Sequence, residues 1–151
     1  MPYKNKTITI HFIQMIFITA LLFMIIPPAI AESHDNQTAT IPVMAETGTD
    51  GIQRQEITLD SYSFTPAYII VQSGKPVEFI LKNVATFAPH NFRIEATADG
   101  LYLDKDVEPG KTATLSFLPV KTAVYEFYCA NKLIFLPSHR DKGMVGKLEV
   151  R

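Results

Sequence analysis

The chain has 151 residues, a formal net charge of −1, ten prolines, one cysteine and no tryptophan. Near-neutral charge excludes the basic footprint of a nucleic-acid binder. A single cysteine excludes the intramolecular disulfides that staple many small exported domains.

Lys4 and Lys6 precede an apolar run from Phe12 to Ile26, followed by Pro27-Pro28 and Ala29-Ile30-Ala31. A basic n-region, an apolar h-region and a small-x-small site predict a secretory signal peptide over residues 1–31, cut before Glu32. The competing reading is an uncleaved anchor, because the run approaches the ~20 residues that span a bilayer. The paired prolines beside the cleavage site favour removal, and with it export to the periplasm. Removing Lys4 and Lys6 leaves 12 basic against 15 acidic residues, a formal −3. The remainder is long enough for one domain with its own core. Residues 32–53 are small, polar and aperiodic, and are expected to be a flexible tether. The folded domain is therefore expected over residues 54–151.

Within it, apolar and polar residues alternate through Ile57-Thr58-Leu59, Val77 to Leu81, Ala113 to Phe117, and Tyr125 to Cys129. Tyr68 to Val71 and Val145 to Val150 are further β-rich runs. Turn signals at Ser73-Gly74-Lys75-Pro76, Ala98-Asp99-Gly100 and Glu108-Pro109-Gly110-Lys111 separate them. No segment carries a helical apolar stripe over three turns. The pattern predicts an all-β Greek-key sandwich of seven or eight short strands. Alternation puts Tyr125, Phe127 and Cys129 on one face, with the thiol at the end of its strand and loops free to converge on it.

A free thiol in an oxidising compartment is a liability unless it is buried, bridged between chains, used as a nucleophile or bound to a metal. Four residues that ligate soft or borderline metals follow in the order His90, Cys129, His139, Met144. Two His and one Cys with a weak axial Met make up an electron-transfer copper site of type 1. Thiolate and thioether favour Cu(I) and imidazole serves both oxidation states, so the mixed set suits an ion that cycles. A Cys–His nucleophile pair leaves Met144 and the second His unexplained. Structural zinc is disfavoured because the fourth position would fall to a thioether, and a binuclear copper centre needs a second cysteine.

From about Glu56 to Arg151 the chain resembles the cupredoxins. The motifs are Phe64-Thr65-Pro66, Ser73 to Val77, Pro89-His90-Asn91-Phe92, Tyr128-Cys129, Ser138 to Gly146, and a last strand Lys147 to Val150. The resemblance implies His90, Cys129, His139 and Met144 as ligands to one copper ion. It also implies that Asn91 hydrogen-bonds across to the cysteine loop and stiffens the site. Two features depart from the pattern: nine residues, Ala130 to Ser138, separate Cys129 from His139, and Ser138 stands where glycine often precedes the second His. The long loop ending Ser-His-Arg-Asp-Lys-Gly-Met, with the segment Asp99 to Gly110, is similar to the EfeO-type cupredoxins of bacterial ferrous-iron uptake. That narrower resemblance implies electron transfer with a ferroxidase-assisting role, beside a periplasmic iron-binding protein and a membrane iron permease as partners. A copper carrier or copper-stress protein without a redox role is the alternative.

Leu133-Ile134-Phe135-Leu136-Pro137 either forms an apolar patch beside His139 or tucks into the end of the sandwich. In the first case Lys132, Arg140 and Lys142 could rim it for an acidic redox partner. Asp99, Asp104, Asp106 and Glu108 offer hard oxygen ligands, but a solvated acidic turn accounts for them better. His34 and Met44 read as residues of the tether.

Overall fold

β-Branched and aromatic residues at every second position build the strands, and the inward set of each forms the core. The computed structural model describes residues 40–151, which belong to one compact unit, Gln37–Arg151. The expected signal peptide lies outside the described residues. In β3 (Gln53–Asp60) Ile57 and Leu59 are fully buried around Thr58, and in β6 (Val77–Asn83) Val77, Phe79 and Leu81 point inward. The other strands of four residues or more are β5 (Tyr68–Val71), β7 (His90–Ala96), β8 (Leu101–Val107), β9 (Thr112–Phe117), β10 (Ala123–Tyr128) and β11 (Val145–Val150). Three shorter pieces complete the set: β1 (Val43–Met44), β2 (Glu46–Thr47) and β4 (Ser63–Thr65). The eight longer strands match the expected seven or eight.

Two mixed sheets face each other. One runs β1-β5-β11-β10-β7-β8; the other runs β2-β3-β6-β9 with β4 beside β3. The chain crosses repeatedly from sheet to sheet, so the pairs β5–β11, β10–β7, β3–β6 and β6–β9 join strands that are distant in sequence, the wiring of a Greek-key sandwich. No α-helix occurs among the described residues; Thr97–Asp99 is a single 3₁₀ turn. Phe64 and Phe79 from one sheet meet Phe92 and Phe127 from the other. Phe92 stacks on Phe127 at 4.6 Å between ring centroids, and Phe64 and Phe79 meet these rings edge-on at 5.1–5.9 Å. This aromatic knot lies directly beneath the pole that carries His90 and Cys129.

The paired backbone begins earlier than composition suggests. Val43–Met44 pairs in parallel with β5, Glu46–Thr47 pairs with β3, and Ala45 between them is buried. Gln53 is buried too, its side chain exchanging two hydrogen bonds with the backbone of Gln72. The tether expected over 32–53 therefore overlaps the domain from Val43 onward. Two-residue strands are held by backbone pairing at sheet edges and carry no side-chain period to betray them.

Candidate metal centre

His90 opens β7 and Cys129 follows the last residue of β10, adjacent strands of one sheet whose ends lie at the same pole. The chain then makes an excursion and returns through His139 and Met144 into β11. Backbone hydrogen bonds define the return. His139 N donates to Asn131 O at 2.8 Å, Arg140 N to Cys129 O at 3.1 Å, Met144 N to His139 O at 2.9 Å, and Cys129 N to Met144 O at 3.1 Å. Pairing Asn131 with His139 absorbs the long Cys–His spacing, because the surplus residues loop outward and His139 still comes back beside Cys129. The outward loop closes on itself through Leu136 N to Leu133 O. Ser138 has its own function at the unexpected position: its backbone N–H and hydroxyl both donate to Asp141 Oδ2, starting the turn that carries His139.

Three donor atoms converge. His90 Nδ1 and His139 Nδ1 are 3.1 Å apart, and Cys129 Sγ lies 3.8 Å from the first and 3.4 Å from the second. A circle through these three atoms has a radius of about 2.0 Å, the length of an imidazole–metal bond and somewhat short of a thiolate–metal bond of about 2.3 Å. Among the described residues this is the one group of three or more His, Cys, Asp and Glu side chains that could enclose an ion. His90 and Cys129 are completely buried and His139 is 9% exposed. Met144 is completely buried and is tied by its backbone to both Cys129 and His139. His90 Nε2 has no hydrogen-bond partner. Two buried imidazole nitrogens facing each other and a sulfur are balanced when a cation shares their lone pairs, so the donor set fits a soft or borderline metal ion.

Burial lowers the His90 imidazole to about 4, with repulsion from His139 adding to it and Asp60 opposing. His139 is also lowered, by burial and then by Lys142. Both rings are thus neutral at neutral pH and present lone pairs. Burial pushes the Cys129 thiol up, against the backbone N–H groups of Asn91 and Asn131 that favour the thiolate. The Asn91 N–H reaches the sulfur at 3.3 Å. A metal must therefore displace the thiol proton.

Asn91 Oδ1 accepts from Ala130 N at 2.7 Å, the residue next to Cys129, and its Nδ2 donates to Asp104 Oδ1 at 2.9 Å. Asp104 is in turn paired with Arg93. Asn83 secures the loop before His90, donating to Ala88 O and Val107 O at 2.9 Å each. Sequence reading missed Asp104 and Asn83 as supports of the site. Asp104 lay in the acidic run and was legible only as a candidate oxygen ligand. The other acidic candidates form no metal-sized group among the described residues: Asp99 pairs with Lys121, while Asp106 and Glu108 line a groove of about 540 Å³ beside His139 with Tyr62, Phe87, Pro89 and Leu133. The turn beyond that groove is exposed, Ile134 to 85% and Phe135 to 95%. That favours the apolar-patch reading over tucking. Of its three cations, Arg140 is already paired with Glu126 and covers the Tyr128 ring, and Lys142 covers Tyr62.

A family model described as a cupredoxin-like domain matches residues 14–138, and the chain belongs to that family. The matched span ends one residue before His139, so the convergence of His139 on the other donors rests on the geometry above. No curated protein sequence matches the chain. Among solved structures it is similar to the metal-binding domain of the Cu(I)-exporting P-type ATPase CopA of Streptococcus pneumoniae D39, at 21% identity and a TM-score of 0.56, covering 74% of this chain and 97% of that one. It is similar to the dithionite-reduced auracyanin of Roseiflexus castenholzii at 21% identity and a TM-score of 0.55, covering 71% and 98%. Auracyanin A of Chloroflexus aurantiacus, described as a blue copper protein, matches at 18% identity and a TM-score of 0.52, covering 67% and 100%. At these identities the likeness is one of fold.

Proposed function

We propose that the protein is an exported type 1 copper protein that transfers one electron at a time in the periplasm, with Fe(II) as electron source in iron uptake. The observation that carries the copper reading is the buried triangle of two Nδ1 atoms and one Sγ, with Met144 buried beside it. Copper held there supplies a reversible step between Cu(II) and Cu(I). Cys129 would supply a covalent thiolate bond to it, His90 and His139 neutral nitrogens, and Met144 a soft sulfur. The surrounding residues would hold the donors in one arrangement, Asn91 by fastening the segments that carry His90 and Cys129 together and the Phe92–Phe127 stack by filling the space beneath. Of the four donor residues only His139 keeps any exposure, and it lines the groove. His139 is therefore the port for the electron, and the exposed Leu133–Leu136 turn offers a redox partner an apolar landing beside it. The iron-linked part of the reading is supported by the Ser-His-Arg-Asp-Lys-Gly-Met run, and its partners are a periplasmic iron-binding protein and a membrane permease.

Stoichiometric addition of Fe(II) to the Cu(II)-loaded protein tests the redox reading. Bleaching of the thiolate-to-copper band within the mixing time, with copper retained and colour restored by an oxidant, is expected. A protein that gives up Cu(I) to a competing chelator as fast as it is reduced would instead be a carrier.

A further inference from the structure

The geometry points to Tyr62 as the positioning residue of His139, a brace that holds the exposed-side imidazole on the metal and limits its outward swing. The inference rests on the copper reading of the site. Asp60 pairs with Ser63 across the hairpin between β3 and β4, leaving Ser61 and Tyr62 as its two loop residues. Tyr62 has φ 68°, the one non-glycine residue with positive φ among the described residues. Glycine or asparagine would occupy that backbone without strain. A bulky aromatic there is held by what its side chain touches.

The ring touches the site. Its centroid lies 4.9 Å from that of His139 at 76°, edge to face, while His90 packs against the same imidazole at 4.9 Å and 62°. His139 is thus held between a fellow ligand and Tyr62. Lys142, three residues beyond His139 in the same turn, lies 4.2 Å from the Tyr62 ring centre and donates to its hydroxyl at 3.0 Å. One hairpin of the opposite sheet therefore grips both the ligand and the turn that carries it. The groove that Tyr62 and His139 both line is the open space into which an unbraced imidazole would rotate.

Tyr62→Gly removes the brace and relaxes the backbone; Tyr62→Asn does the same with a side chain that tolerates positive φ, and Tyr62→Phe keeps the ring. Two readouts are made on each. Side-chain NMR of the metal-free protein reports whether His139 keeps one rotamer, and the Cu(I)/Cu(II) self-exchange rate of the copper-loaded protein reports on the site in use. The Gly and Asn variants are expected to unfold no more easily than wild type. They should nevertheless average His139 between rotamers and lose about tenfold in exchange rate, while Phe stays within about twofold, as for a displaced positioning group. A single His139 rotamer and a wild-type exchange rate in the Gly and Asn variants would overturn the inference. If wild type takes up copper without a thiolate band, the copper reading fails, and the metal-free NMR still decides whether Tyr62 braces His139.

Discussion

Burying two imidazoles side by side sets a condition on their protonation. Because His90 is lowered to about 4 in the fold from an ordinary 6.5, the unfolded chain takes up the proton first as pH falls. Its contribution to the metal-free protein is complete above about pH 6.5 and is lost as pH falls towards 4, about 3 kcal/mol over that window at 1.36 kcal/mol per unit. Urea unfolding of metal-free wild type and His90→Gln at pH 7, 5 and 4 should show the steeper loss in wild type; parallel profiles would mean that His90 is not buried as a neutral ring. Asn91 makes a different kind of contribution. Asn91→Ala strips the acceptor from Ala130 N–H and the donor from Asp104, and should cost about 1–3 kcal/mol in denaturant unfolding. Copper should still bind, about 10–100-fold more weakly, in competition with a chelator, as when a group that orients metal ligands is removed.

The elements around the site divide into those that tolerate change and those that do not. Gly146 in β11 faces Phe127 in β10, and a Cβ there would stand 2.3 Å from the ring and 2.7 Å from Ala67 O. Gly146→Ala should therefore destabilise by about 1–3 kcal/mol through overpacking. Ile134→Ser and Phe135→Ser, on the exposed turn, should each change stability by less than about 0.5 kcal/mol in the same unfolding assay. Legibility in the sequence followed the same physics. Strands with one wet face, such as β6 and β10, announced themselves by alternation. β7 was legible only through its Pro89 to Phe92 motif, because its first three residues, His90, Asn91 and Phe92, are all buried, which breaks the period of two. β8 alternates Leu101 and Leu103 with outward Tyr102 and Asp104, and the charges of Asp104, Lys105 and Asp106 made it read as a polar turn. Tyr62 and Asp104 were not legible as neighbours of the candidate site, since only the folded chain brings a distant hairpin and a neighbouring strand to it.

At the scale of the molecule, the sandwich delivers two strand ends and one returning loop to a single pole, and the aromatic knot beneath them joins the two sheets. The candidate residue types and their order stood out in the sequence because so few side chains can serve a soft metal. The path of the nine residues between Cys129 and His139 was not, because it is set by backbone pairing. With both imidazoles neutral and the thiol raised, copper uptake near neutral pH should release about one proton, read by calorimetry in buffers of different ionisation enthalpy. Release near zero would mean that the thiol is already ionised.

The most direct measurement is the visible absorption spectrum of the purified domain after one equivalent of Cu(II), with Cys129→Ser beside it. An intense thiolate-to-Cu(II) charge-transfer band in wild type, absent from the serine variant, is the predicted result. Copper bound without that band, or the same colour in both proteins, would contradict a copper centre built on Cys129.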